Sequence, residues 1–371
     1  MGADIYAAYI VQFYFFTSAI GLLTSPLEHA LIRLRNRPGY DSKFVQIFWA
    51  YIFITIVACC LAELIYILFP FKVQNLSSTN LTVLTAVAIA SVASQIVYFL
   101  KFFRSDWYYY FAEALGYLII TVLVVLLNFL YDLNLLIFAW LSALTYVSLT
   151  LIRLFQLYKQ VLLNPPQIRR IGLLLLRAFR STTMPSLFGA VVKRADALYM
   201  PVMDISPVTV LVYRLIRNII SAVSLVGITY AQDIWMSRRV PRQAMSYYIF
   251  FIASVSFMAL LALVVWLYIN WLEVSNPLKL ADICCIALST TAAIYLSLNA
   301  ADINRVYQQG RYDVILAGST ISFLTFLTLL IFGNLINLTI VTYLLVLIFF
   351  PQLANSLYIQ RQQDKTRQEI S

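Results

Sequence analysis

Charge is what this sequence has least of. Only 11% of its 371 residues are Asp, Glu, Lys or Arg, against about 25% in an ordinary soluble domain. Hydrophobic types make up 62% of the chain and the mean hydropathy is +0.84. So little charge excludes a water-soluble globular protein of this length; lipid is the solvent that suits it. The chain is expected to cross a bilayer as several helices, because only helices and closed barrels satisfy the backbone there. The first apolar run has neither a basic n-region nor an A-x-A-like end, so no removable signal peptide is expected.

Histidine is nearly absent. With His29 alone in the chain, a His-based metal centre or catalytic triad has too few ligands or bases. Cysteine is scarce too: Cys59-Cys60 and Cys284-Cys285 are two vicinal pairs inside apolar runs. Neighbouring cysteines do not make a disulfide framework, and neither pair has the His or Cys spacing of a zinc site. They read as small apolar helix residues. Walker, nucleophile-elbow and zinc motifs are also missing, which leaves an ATPase or hydrolase without support. Neither enzymatic chemistry nor a cofactor is therefore expected.

What the sequence does have is apolar runs of about twenty residues, too continuous for the alternation of a membrane strand. Eleven spans are predicted, at roughly 5–27, 45–71, 81–100, 108–130, 134–156, 173–200, 206–231, 247–270, 280–303, 314–333 and 335–356. The expected fold is an all-α polytopic membrane protein.

The basic residues orient it. The loops after the odd-numbered spans up to the ninth, together with the C-terminal tail, hold 18 of the 26 Lys and Arg. The opposite loops hold only Lys72 and Lys279. Positive charge accumulates on the cytoplasmic side, so the C-terminus is expected in the cytoplasm and the N-terminus outside. An outside start behind only "MGAD" suits a chain short of one preceding helix, by truncation or a misassigned start codon. A native eleven-span protein is the other reading.

Six bases remain, and all lie in the sixth and seventh spans: Arg177, Arg180, Lys193, Arg194, Arg214 and Arg217. A charge near the bilayer centre costs at least about 2.5–3.5 kcal/mol on insertion scales, so it normally faces protein or a wet cavity. Arg177, Arg180, Ser181, Met184 and Phe188 share one helical face, and Arg214, Arg217, Asn218, Ser221 and Ser224 make a second polar stripe. Two such stripes on adjacent helices would line one cavity with positive potential. A guanidinium fork matches the oxygens of phosphate and stays charged at any working pH, so the expected cargo is an anion carrying phosphate or pyrophosphate. The net charge of +10 is thus loop bias plus a membrane-buried basic patch, and no nucleic-acid partner is expected.

Within the same stretch Pro185 removes a helical hydrogen bond and should act as a hinge. Asp196 can pair with Lys193, at i−3, or with a base on the next helix. A rival reading makes the arginines structural, tied to carboxylates such as Glu63 or Glu113. Apart from Asp196, only Glu63, Glu113 and Asp302 lie well within spans, too few to neutralise six bases.

The longest basic connector, "YKQVLLNPPQIRRIG", carries Pro165-Pro166 and separates five spans from six. The expected organisation is an N-terminal helical lobe (1–157), a cytoplasmic connector (158–172), a C-terminal lobe (173–356) and a cytoplasmic tail (357–371). One added N-terminal helix would make it six plus six, the pattern of a transporter built from repeats.

Four stretches resemble the oligosaccharide flippases of the multidrug/oligosaccharidyl-lipid/polysaccharide exporter superfamily, which include the O-antigen flippases. "GADIYAAYIVQFYFFTSAIGLLTSPLEHALIR" is similar to that family's second helix and basic turn. "RADALYMPVMDISPVTVLVYRLIRNI" is similar to its seventh-to-eighth helix passage, with Asp196, Tyr213 and Arg217 at recurrent polar positions. "NRVYQQGRYDVILAGSTISFLTFLTLLIFG" is similar to its tenth-to-eleventh passage with the Gly310-Arg311 turn, and the double-proline connector is the fourth. The family's first helix has no counterpart here.

The resemblance implies two helical lobes around a central cavity open alternately to each side. It further implies a polyprenyl-pyrophosphate-linked oligosaccharide carried across the bacterial inner membrane, with polysaccharide polymerase and glycosyltransferases as pathway partners. Arg177, Arg180, Arg214, Arg217, Asn218, Lys193 and Arg194 are the candidate substrate contacts, Pro185 the hinge, and Asp196 the ion-pairing or coupling acid. Two alternatives stand beside this reading. A cation-coupled multidrug-type exporter calls for an acidic cavity, which the excess of bases argues against. A membrane-embedded glycan polymerase or ligase usually displays a large outer loop, whereas every outer loop here is about ten residues or shorter.

Overall fold

Continuous apolarity becomes helix among the described residues of the computed structural model. It describes residues 3–34, 40–68, 81–100, 119, 122–123, 134–156, 168–202, 205–207, 209–214, 216–218, 220, 280–332 and 338–370. The long helices are α1 (Ala3–Leu34), α2 (Tyr40–Leu68), α3 (Leu81–Leu100), α4 (Leu135–Gln156) and α5 (Ile168–Lys193). The short α6 (Ala195–Tyr199) and a 3-10 turn (Met200–Val202) follow, then α7 (Leu280–Gln309), α8 (Tyr312–Phe332) and α9 (Ile340–Ile370). No strand occurs among the described residues.

Six of these helices contain segments long and apolar enough to cross a membrane: Ala7–Glu28, Val45–Leu68, Leu81–Phe99, Leu135–Phe155, Tyr312–Phe332 and Ile340–Lys365. They match the first, second, third, fifth, tenth and eleventh predicted spans, as a multi-pass membrane protein requires. The sixth and ninth predicted spans are helical, but their apolar stretches are the shorter Met184–Lys193 and Cys284–Ser297. The fourth span, apart from three residues, and the eighth lie outside the described residues, as does the seventh beyond residue 220.

The structure adds three details to the sequence expectation. The sixth span is not one helix over 173–200: α5 stops at Lys193, a turn sits at Arg194, and α6 and the 3-10 turn follow. The tail is a continuation of α9, which runs on to Ile370. Arg153, counted with the basic loops, is instead a buried residue in the last turn of α4.

The chain divides into two compact units. One takes in residues 1–190 and 197–210, the other residues 191–196 and 211–371. In the first unit α1 supplies Tyr9, Phe13, Phe16 and Ile20 to a core shared with Ala58, Ala62 and Tyr66 of α2. Ala86 and Ala90 of α3 and Ala139 and Ala143 of α4 complete it. Small residues one turn apart on α3 and on α4 let those backbones approach, which is how helices associate where lipid removes the hydrophobic drive. Cross-helix hydrogen bonds join polar groups of these helices: Tyr9 with the Ser142 hydroxyl, Thr150 to the Ala93 carbonyl at 3.1 Å, and Tyr51 to the Gln95 carbonyl at 3.3 Å. The opposite face of α2 carries exposed Phe53, Ile56, Leu61, Leu64 and Leu68, a surface suited to acyl chains.

In the second unit α9 packs against both α7 and α8. α7 closes in a Schellman turn: Gly310 has φ of 71° and Arg311 N–H donates to the Val306 carbonyl at 3.3 Å. Val306 packs with Val314, Ile315 and Ile359 below that turn. At the start of α9 the orphan donors are met from outside the helix. Buried Asp282, in the first turn of α7, accepts from Thr339 N–H at 3.0 Å and from the Thr339 hydroxyl at 2.8 Å.

Candidate functional site

The break after α5 places the acid. Arg194 N–H donates to the Val191 carbonyl at 3.3 Å, and Asp196 follows in the first turn of α6 with no exposed surface. The next helical segment starts with a capping device. Ser206 accepts from Thr209 N–H at 3.3 Å through its hydroxyl and from Val210 N–H at 3.1 Å through its carbonyl. Pro207 stands at the first helical position, where its fixed φ suits the helix and its missing donor costs nothing. Residues 209–214 and 216–218 are helical, which puts Tyr213 and Arg217 at i, i+4 and Arg214 beside them at i−3 from Arg217.

All three side chains converge on one oxygen. Asp196 Oδ2 accepts the Tyr213 hydroxyl at 2.8 Å, pairs with Arg217 Nη1, and lies 3.5 Å from Arg214 Nη1. Arg217 Nη2 reaches the Lys193 carbonyl at 3.4 Å. The Arg214 guanidinium also stands 5.7 Å from the Tyr213 ring centroid. Asp196 and Tyr213 are fully buried and Arg214 is 3% exposed, whereas Arg217 retains 18%. Arg217 is therefore the open side of the cluster. A buried charge needs both a counter-charge and hydrogen bonds, and Asp196 has each.

The second unit thus brings together Asp196, Arg214 and Arg217, with the backbone of Lys193. Of the two partners open to Asp196 in the sequence, the bases of the next helix take it. Tyr213, which the residues by themselves did not single out as a contact, completes the cluster; its i, i+4 spacing from Arg217 was the available signal. Lys193 is exposed, Arg194 half-buried and Asn218 exposed; Asn218 is not among the groups on the carboxylate. Arg177, Arg180 and Pro185 lie on α5 in the first unit. Pro185 is buried within that helix, while the side chains of Arg177 and Arg180 lie outside the described residues.

Among the described residues no group of three His, Cys, Asp or Glu comes together as a metal site. The cysteines are free, with Cys59 buried and donating to the Ala88 carbonyl, and Cys60 exposed. Compared with known proteins, the chain matches no family model, no curated protein and no solved structure.

Proposed function

We propose that this chain is a flippase of the bacterial inner membrane. It moves a polyprenyl-pyrophosphate-linked oligosaccharide from the cytoplasmic to the outer leaflet by alternating access, for cell-surface polysaccharide synthesis. The observation that carries the reading is the pair of guanidinium groups gathered on one buried carboxylate inside so apolar a chain. Membrane-embedded charges are costly and mark pathways for charged cargo, and guanidinium suits the oxygens of a pyrophosphate. The resemblance of the passage around Asp196, Tyr213 and Arg217 to oligosaccharide flippases agrees with that chemistry.

In this reading Arg177, Arg180, Arg214 and Arg217 contact the pyrophosphate or acidic sugars. Lys193, Arg194 and Asn218 extend the polar surface, and Pro185 lets its helix bend. Eleven spans form two lobes around a central cavity, with the C-terminus in the cytoplasm. The test is glycan export in cells carrying Arg180→Ala or Arg217→Ala. Loss of export with normal membrane insertion is expected; unchanged export from both variants sinks the proposal.

A further inference from the structure

The second unit carries a row of buried polar groups that the protein itself does not bond. On α7 these are Ser289 Oγ, Ser297 Oγ and Asn299 Nδ2, and on α9 they are Asn355 Oδ1 and Ser356 Oγ. None of the five has a hydrogen-bond partner among the described residues. Ser289, Ser297 and Ser356 are 3% exposed or less, and Asn299 is 8% exposed.

The two helices bring these groups together. α7 and α9 pack against each other, and the Tyr295 hydroxyl donates to Gln360 Oε1 across the seam. Asn299 stands one turn beyond Tyr295 and Ser356 one turn before Gln360, so that bond sits among the unbonded groups. Asn299 approaches the Tyr295 hydroxyl, yet its Nδ2 lacks hydrogen-bond geometry to it. Asn355 Oδ1 lies against Gly318 of α8, where a Cβ would collide with it.

Helix packing alone does not account for the row. Small polar residues join membrane helices by bonding across them, as Thr150 does to the Ala93 carbonyl in the first unit. Other helical hydroxyls turn back onto their own helix: Thr290 reaches the Ile286 carbonyl at 2.8 Å and Thr291 the Ala287 carbonyl at 3.0 Å. Ser289 and Ser297, on the same helix, do neither. A buried donor or acceptor left dry forfeits its hydration with nothing in return.

The chemistry of the set defines the guest. It offers hydroxyls that donate and accept, an amide oxygen that accepts and an amide nitrogen that donates. None of the five groups is charged, so among them an anion finds no counter-charge and a divalent cation no carboxylate. Water matches a mixed, neutral set in so closed a space, and at buried sites it makes about three hydrogen bonds. We propose that the α7–α9 seam is a water-binding site, in which ordered waters bridge these side chains. Asn355 and Ser356 lie inside the membrane-crossing stretch Ile340–Lys365, so the site hydrates the interior of the unit at membrane depth. It uses none of the residues assigned to cargo and stands whether or not that cargo is right.

Radiolytic footprinting tests it. A brief X-ray pulse makes hydroxyl radicals from bound water in place, and they oxidise neighbouring side chains that bulk solvent does not reach. Ile359, one turn from Asn355 and Ser356, is 2% exposed, and Ile47 of the first unit is equally buried. In the full-length protein in nanodiscs, Ile359 should be oxidised several-fold faster than Ile47; equal rates overturn the site. Asn355→Leu combined with Ser356→Ala should bring the Ile359 rate down to that of Ile47, and an unchanged rate overturns the assignment to these side chains. If that pair folds poorly, melting curves of Ser297→Ala and Ser356→Ala decide. A hydroxyl that holds water loses bonds when removed, which lowers Tm by a few degrees, whereas removing a dry one raises it. An unchanged or raised Tm in both variants overturns the proposal. Stabilisation by sodium over choline, lost in Asn355→Leu, would give the oxygens to a cation in place of water and overturn it as well.

Discussion

Asp196 accepts the hydroxyl of Tyr213 at 2.8 Å, and neither side chain has exposed surface. The two residues stand on either side of the chain segment that contains the 3-10 turn and Pro207. Both belong to the second unit, and the same carboxylate oxygen also collects Arg217 and Arg214. One acid thus organises two bases and a phenol.

Replacing Tyr213 with Phe keeps the ring and deletes only the donor. A hydrogen bond to a charged acceptor contributes about 1.5–3 kcal/mol, and the lost partner leaves a buried carboxylate less well held. Tyr213→Phe should lower the melting temperature of the detergent-solubilised protein by several degrees while membrane insertion is unaffected. A melting curve identical to that of the parent protein would show that the bond carries no stability.

Gly310 ends α7 with φ of 71°. A Cβ there would meet the Tyr312 ring at an ordinary 3.8 Å, so space is available and the penalty is conformational. Gly310→Ala should destabilise the unit by about 1–2 kcal/mol, and Gly310→Asn by less, because Asn tolerates the left-handed region. Denaturation midpoints of the two variants, compared with the parent protein, give the order directly.

Gly318 lets α8 approach α9 closely. A Cβ at that position would run into the Asn355 side-chain oxygen and meet Asn355 Cγ and Ile359 Cγ1 at 3.4 Å. Gly318→Ala is expected to destabilise, and Asn355→Ala in the same chain to restore most of the loss. A double-mutant cycle on thermal stability reads the coupling; additive effects would mean that the two positions do not meet.

Eighteen basic residues lie on one side of the predicted topology and two on the other. A green fluorescent protein fused after Ser371 should therefore fluoresce, whereas alkaline phosphatase at the same site should be inactive. Reporters fused beside Lys72 or Lys279 should give the opposite pattern. Active phosphatase at the C-terminus would invert the orientation.

The sequence alone located helices closely where bilayer physics leaves one answer. The predicted spans 81–100 and 134–156 meet α3 (Leu81–Leu100) and α4 (Leu135–Gln156) nearly end for end. A run of about twenty apolar residues in lipid has to satisfy its backbone internally, so its extent can be read from composition. The Gly310-Arg311 turn was expected only from the family resemblance, and a turn stands there in the structure. The six unexplained bases were also found by counting, because the predicted loops and tail take up the other twenty.

What composition does not carry is which faces meet. The residues of α2 that face outward, such as Phe53 and Leu64, are as apolar as those that pack inward, because acyl chains and protein cores ask for the same side chains. Hydropathy could therefore not say that α5 would end at Lys193, that Asp282 would cap α9 through Thr339, or that Gly318 would sit against Asn355. It also left Asp196 with two possible partners. Only the tertiary structure, by bringing three side chains of the next helix beside the turn at Arg194, gave that carboxylate to Tyr213, Arg214 and Arg217.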